Sequence, residues 1–174
     1  PEHITPALDT LIQQGKQTIE QLAISDAAPT WQNFAEPLEQ IEEKLSRAWS
    51  QVGHMNAVVN SPELREAYNA SLPKLTDFYS DLGQDERLYA KFRTLKNSAE
   101  FVNLNAAQQK IIENELRDFR LGGAELPDQE KARFKEIQEE DFRVLIVHKS
   151  ASIEISVTVV EGFISTPSFS AKYK

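Results

Sequence analysis

Three histidines are the residues of this sequence best suited to metal binding or to acid and base catalysis, because imidazole ionises near neutral pH and ligates zinc. They stand far apart, at His3, His54 and His148, without a His-Glu-x-x-His helix, a phosphate-binding loop or a dinucleotide fingerprint. The chain has no Cys, which excludes thiolate metal sites, thiol catalysis and disulfides. The sequence therefore predicts no catalytic, cofactor-binding or metal-binding residue.

His54 follows Gly53 late in an apolar helical pattern, and we interpret it as a hydrogen-bonded structural histidine rather than a ligand. Paired carboxylates occur at Glu42 and Glu43 and again at residues 139–141. Neighbouring residues of a helix point in different directions, so these carboxylates cannot easily converge on one substrate atom. They are expected to form solvated faces.

Four aromatic side chains could line a peptide-binding groove: Trp31, Trp49, Tyr68 and Tyr79. Aromatic residues at helical spacing more often belong to a hydrophobic core, because they bury a large apolar area. We favour the core interpretation and leave the groove open as the alternative.

Composition and charge narrow the class of protein. The chain has 174 residues, 40% of them hydrophobic and 26% charged, which predicts a folded globular protein of one main domain. Its net charge is −8, whereas nucleic-acid binding needs a basic face, so nucleic acid is not an expected partner. No apolar stretch approaches the roughly 20 residues of a membrane span. With no Cys, these features favour a protein of the cytoplasm that has no membrane partner.

Apolar residues at helical spacing predict a first helix over about residues 5–24 and a second that begins after the N-cap Thr30. A third helix should begin after the N-cap Ser61, and Pro73 inside it should produce a kink. The second helix has a narrow apolar seam that is expected to face the core: Leu38, Ile41, Leu45, Ala48, Val52, Met55 and Val59.

A short fourth helix is predicted after Gly83, and a fifth after Asn105, which can form a capping box with Gln108. Gly122 and Gly123 should supply the left-handed residue that ends the fifth helix. A sixth helix should begin near Pro127. Residues 1–140 therefore predict a mainly α fold, an antiparallel array of about six helices. Its expected buried residues include Leu45, Val52, Leu72, Leu75, Ile112, Leu116 and Phe119.

Residues 141–174 form a β-prone tail in which the pattern changes. Apolar residues alternate with period two at Val144 and Ile146, and the alternation resumes from Ile153 to Val159. The segment "HKSAS" between the two runs is a candidate turn, so the tail predicts a β-hairpin. A lone hairpin is marginal in water. We therefore expect edge pairing between tails to produce a homo-oligomer.

Several segments resemble, in order and spacing, the N-terminal region of the thimet-oligopeptidase-like zinc metallopeptidases. They are "PEHITPALDTLI", "TWQNFAEPLEQIEEKL", "GHMNAVVNSPELREAYNASLPKLTDFY" and "LNAAQQKIIENELRDFRLGGAELPDQEKARFKEIQEE". The resemblance covers about residues 1–140. It implies a mostly helical, two-lobed peptidase that encloses a deep channel, with zinc held far downstream by a His-Glu-x-x-His helix and a later Glu. The N-terminal helices of such an enzyme form part of the channel wall and limit its substrates to short peptides.

The resemblance ends near residue 140, and no residue here matches the family's zinc ligands or catalytic groups. One hypothesis is therefore a helical N-terminal fragment of a zinc oligopeptidase, inactive by itself. The alternative is an independent, non-enzymatic binding or adaptor module, dimeric through its tail. A peptidase activity of the isolated chain is the least favoured of the three.

Overall fold

The structure is a computed structural model that describes residues 1–127, 129–134, 136 and 137. These residues form helices and connecting turns, and residues 129–134, 136 and 137 are the sixth helical segment. The prediction of a mainly α fold with about six helices is confirmed. The predicted β-hairpin lies outside the described residues. The five preceding helices are α1 (Ile4–Ile24), α2 (Glu36–Val58), α3 (Pro62–Gly83), α4 (Glu86–Lys96) and α5 (Ala106–Leu121).

None of the helices in this described part combines the length and the apolar composition needed to cross a membrane. Polar side chains on these helices form hydrogen bonds and ion pairs with neighbouring helices. Lys96 of α4, for example, donates to Glu113 of α5 at 2.5 Å. The helices pack as a layered array around one apolar core.

Contacts between α1 and α3 show that these two helices run parallel. The hydroxyl oxygens of Thr5 and Ser71 lie 3.4 Å apart near the start of α1. Lys16, three turns further on, lies 3.9 Å from Asp81, which is also later in α3. Since α2 connects them as a single long helix, it is antiparallel to both, and α1 and α3 pack side by side against it.

The start of the second helix differs from a simple N-cap. The Thr30 hydroxyl oxygen accepts from the backbone amide of Asn33, and the Asn33 side-chain oxygen accepts from the backbone amide of Thr30, as a capping box requires. The first turn, Trp31–Ala35, is however π-helical, and α2 proper begins at Glu36. Pro37 has no amide hydrogen to give the carbonyl four residues earlier, so a widened turn before it loses no α-helical hydrogen bond there.

The predicted cap of the third helix is confirmed, because the Ser61 hydroxyl accepts from the amide of Leu64 at 3.2 Å. Helix α3 then runs continuously through Pro73 to its end. Pro73 and Asn69 are both exposed, so water can satisfy the Asn69 carbonyl that loses its amide donor.

The C-terminal end of α5 is closed by two backbone hydrogen bonds and a left-handed glycine. The amide of Gly123 donates to the carbonyl of Arg120 at 3.2 Å, and that of Ala124 donates to Phe119 at 2.9 Å. Together with a φ of 93° at Gly123, these two bonds form a Schellman motif, which confirms the predicted left-handed glycine. Gly122 has an ordinary helical φ of −73°.

Gly122 is needed for a different reason. A Cβ placed on it would lie 2.8 Å from the carbonyl oxygen of Gly83, far inside van der Waals contact. The C-terminal ends of α3 and α5 therefore touch through their backbones. At this contact neither helix has room for a side chain on Gly122.

The core confirms most of the predicted buried residues. Leu45, Leu75, Ile112, Leu116 and Phe119 are all buried in one continuous apolar cluster. Aromatic rings from α4 and α5 complete it at one end of the array.

Five residues of the predicted interior are less buried than expected. Ala48, Val52 and Leu72 are partly buried and pack against the core. Met55 and Val59 are exposed, so their placement in the buried seam of the second helix is wrong. They are exposed because α2 is longer than α1 at this end. A Cβ at Gly15 of α1 would lie 3.5 Å from Ile41 of α2. The two helices are antiparallel, so counting back from Gly15 and forward from Ile41 places the first residue of α1 level with about Val52. The last turns of α2 extend beyond α1.

Candidate binding surfaces

Two of the four candidate aromatic residues lie inside the core. The rings of Trp49 and Tyr68 are stacked, with centroids 4.6 Å apart and planes 20° from parallel, and both side chains are buried. Trp31 and Tyr79 are partly buried and pack against the same core. The described structure therefore brings none of the four together as an open groove, which agrees with the core interpretation.

Tyr79 carries the most unusual polar atom among them. Its hydroxyl oxygen is buried and has no hydrogen-bond partner among the described residues. Burial, followed by the negative charge of Glu42, raises the pKa of Tyr79 far above its ordinary value. The hydroxyl therefore stays protonated and can only act as a neutral donor or acceptor.

The two described histidines lie apart on the surface. His3 is exposed at the start of the chain, 3.5 Å from the carboxylate of Glu2. His54 is exposed on α2, so its interpretation as a structural histidine within the packing is wrong. It lies five residues after Trp49, which turns it about 140° around the helix from that buried side chain. His148 lies outside the described residues.

The paired carboxylates also do not converge. Glu43 pairs with Arg47 one turn later on the exposed face of α2, while Glu42 lies on the Tyr79 side. Residues 139–141 lie outside the described part. Across residues 1–127, 129–134, 136 and 137, no three His, Cys, Asp or Glu side chains form a group that could hold a metal ion. The described residues therefore do not fit a zinc site.

An open groove of about 610 Å³ runs between α1 and α3. Its walls are joined by ion pairs, and the ammonium of Lys74 donates to Asp9 at 2.6 Å. Its charged lining consists of carboxylates and ammonium groups, and the ion pairs of Lys16 and Lys74 join α1 to α3. The lining residues are Asp9, Ile12, Gln13, Lys16, Gln17, Glu20, Lys74 and Asp77.

A cluster of charged side chains lies at the start of α4. Asp85 caps this helix by accepting from the amides of Arg87 and Leu88 at 2.9 and 3.3 Å. Arg87 also forms hydrogen bonds to both oxygens of Glu20 on α1. Burial of Asp85 would raise its pKa, but the hydrogen bonds and charge of Arg87 outweigh burial and lower it. The cluster connects α1 with α4 and is structural in character.

The exposed end of α2 presents a different kind of surface. Met55, Val58 and Val59 are exposed to 46, 62 and 55% and occupy positions i, i+3 and i+4 of one helix face. We call these three side chains the α2 patch. The sequence pattern did not predict it, because the same residues continue the spacing of the buried seam. Only the relative lengths of α1 and α2 distinguish an exposed position from a buried one here.

The turn after the α2 patch is held in a fixed conformation. Asn60 has a left-handed φ of 48°, which Asn tolerates better than most residues. The guanidinium of Arg65 donates to the Asn60 side-chain oxygen at 2.9 and 3.0 Å. The patch therefore belongs to a preformed corner between α2 and α3.

Comparison with known proteins gives consistent matches. The N-terminal domain family of neurolysin and thimet oligopeptidase matches residues 8–131. The chain is 48% identical over 137 residues to oligopeptidase A of Haemophilus influenzae and 40% identical to oligopeptidase A of Escherichia coli. It is 33% identical over 138 residues to a probable cytosolic oligopeptidase A of Arabidopsis thaliana. Each match covers 79% of this chain but 20% of the relative, so the chain spans about a fifth of the length of these relatives.

Proposed function

The chain belongs to the neurolysin/thimet oligopeptidase N-terminal domain family, and from this premise we propose that it acts as the helical N-terminal part of an oligopeptidase that degrades short peptides. The observation that carries the proposal is the family match over residues 8–131, together with 48% identity to an oligopeptidase A. The relatives are named as peptidases that act on oligopeptides. We extend their peptidase activity to this chain as a proposal, because four fifths of their length lies outside the match.

We propose that the helices form part of the wall of a substrate channel. A rigid wall around a catalytic centre admits extended peptides and keeps folded proteins out. The continuous core and the ion pairs between α1 and α3 support this role, because they join the helices into one packed array. The chain supplies shape and exclusion, while the reaction takes place on the downstream part of the enzyme.

Zinc, in this proposal, is held by that downstream part. The described residues do not fit a zinc site, and no step of peptide hydrolysis is assigned to them. The cytoplasm is the proposed location. In support, one relative is named a probable cytosolic oligopeptidase A.

A chimeric enzyme tests the proposal. Residues 1–137 of this chain would replace the matched fifth of the Haemophilus influenzae oligopeptidase A, and hydrolysis of a short fluorogenic peptide would be compared with hydrolysis of a folded protein. We expect the chimera to cleave the peptide and to leave the folded protein intact. We expect the chain alone to cleave neither.

A deletion of the matched fifth is the control for the channel. If the chimera folds and binds zinc but cleaves no better than this deletion, the role as a channel wall is wrong. The adaptor hypothesis would then be the better one.

A further inference from the structure

The α2 patch lies in a part of the sequence that has no charged residue. Residues 48–62 are fifteen consecutive positions without Asp, Glu, Lys or Arg, the longest such run in a chain that is 26% charged. Met55, Val58 and Val59 lie within this run and are exposed. Depletion of charge around exposed apolar side chains is the composition found at the centre of protein interfaces.

The patch also has the rigidity that an interface needs. The clamp of Arg65 on Asn60 fixes the corner that follows it, and the Val59 amide still donates to the Met55 carbonyl at 2.9 Å. Docking here therefore needs no further ordering of the backbone beneath these side chains.

Area decides which occupant the patch fits. A stable dimer buries roughly 800 Å² on each partner, and three side chains on one helix end cannot supply that. Parts of one polypeptide need a smaller interface, because the connecting chain keeps them at a high effective concentration. In the matched relatives, four fifths of the length lies outside the match and is therefore available to contact the matched part.

We propose that the α2 patch is the surface on which the downstream part of the peptidase docks, through apolar side chains of its own. The proposal rests on the proposed function, since it assumes that a downstream part exists. The last turns of α2, which extend beyond α1, would then be covered by the second part of the enzyme rather than by water.

Hydrogen exchange of the amides of residues 55–60 tests this docking in the chimera described above. We expect these amides to exchange at least about tenfold more slowly in the chimera than in the chain alone, at any protein concentration. The substitution Val58→Lys should remove the added protection, because it places a charge in the apolar contact. Val102→Lys is the matched control, since Val102 is 74% exposed elsewhere on the surface and should leave the protection unchanged.

Several outcomes would overturn the docking. Equal exchange in the chimera and the chain alone would do so, and so would protection that survives both Val58→Lys and the milder Val58→Ser. Protection in the isolated chain that rises with concentration would assign the patch to a second copy. Protection of the isolated chain by added short peptide would assign it to substrate.

The two proposals fail in different ways. Peptide cleavage without added protection at residues 55–60 would leave the proposed function standing and remove the docking surface. Added protection without cleavage would keep the docking surface and remove the role in peptide hydrolysis.

Discussion

Single residues decide how closely the helices approach one another. The contact of Gly122 with the Gly83 carbonyl shows this most clearly, because one added methyl group would overlap the backbone of the neighbouring helix. Gly53 is the opposite case, since a Cβ there would meet nothing within 4 Å. The same chemical change at the two glycines should therefore have opposite effects.

Gly122→Ala should destabilise the protein by about 1 to 3 kcal/mol, because α3 and α5 must move apart to admit the methyl group. Gly53→Ala should stabilise it by about 0.5 to 1 kcal/mol, because alanine loses less backbone entropy in a helix. Urea denaturation followed by circular dichroism measures both. An unchanged midpoint for Gly122→Ala would contradict the backbone contact.

The buried hydroxyl of Tyr79 gives a second prediction at this scale. Tyr79→Phe removes a polar atom that has no partner among the described residues, so stability should stay the same or rise by about 1 kcal/mol. Tyr89→Phe is the control. It removes a hydroxyl that donates to Glu125 at 2.5 Å and should lower the free energy of unfolding. Thermal unfolding of the two variants compares them, and a large loss for Tyr79→Phe would reveal a partner for its hydroxyl.

At the scale of elements, helix ends are held by polar side chains and their charges. Asp85 combines a cap on α4 with an ion pair to Arg87, which itself contacts α1. The stability of this junction should therefore depend on the ionisation of one carboxylate.

The lowered pKa of Asp85 sets the direction of that dependence. The folded state holds the proton less tightly than the unfolded state, whose pKa is about 3.9, so stability from Asp85 is present above that pH and is lost as pH falls through the lower folded pKa. Asp85→Asn keeps a capping oxygen but has no charge. Denaturation between pH 7 and pH 2 should show the wild-type advantage over Asp85→Asn as constant above about pH 5 and shrinking below pH 4. A difference that grows on acidification would contradict the assignment.

The element pattern could be predicted from sequence because caps and apolar spacing are local. Ser61, Asn105 and Gly123 each marked a helix end by chemistry within a few residues. The parallel pairing of α1 with α3 and the exposure of Met55 depend on helices far apart in the chain. No local pattern contains that information. The α2 patch was missed for the same reason. No residue of the sequence matches a catalytic group of the family, so the sequence predicted no catalytic or metal-binding residue.

At the scale of the whole molecule, the predicted assembly concerns residues beyond the described part. Residues 141–174 are expected to pair between chains and to produce a dimer or higher assembly. Truncation after Glu140 should then lower the mass measured by light scattering to that of a monomer, while the helical circular dichroism signal remains. Equal monomeric masses with and without residues 141–174 would show that the tail does not drive assembly.

Side-chain hydrogen bonds join α1 to α3 and α4, and each of them links two residues at nearly the same separation in the sequence. The hydrogen bonds of Thr5 with Ser71, Asp9 with Lys74 and Glu20 with Arg87 link residues 66, 65 and 67 positions apart. Such contacts are non-local, and closing the chain between the two residues has an entropic cost before the contact forms. Forming one contact brings the next pair of residues into register, so we expect the contacts of α1 with α3 and α4 to form together in a single late step. On the ribosome this step waits for α3 and the start of α4, and α1 has no parallel partner until α3 has been synthesised.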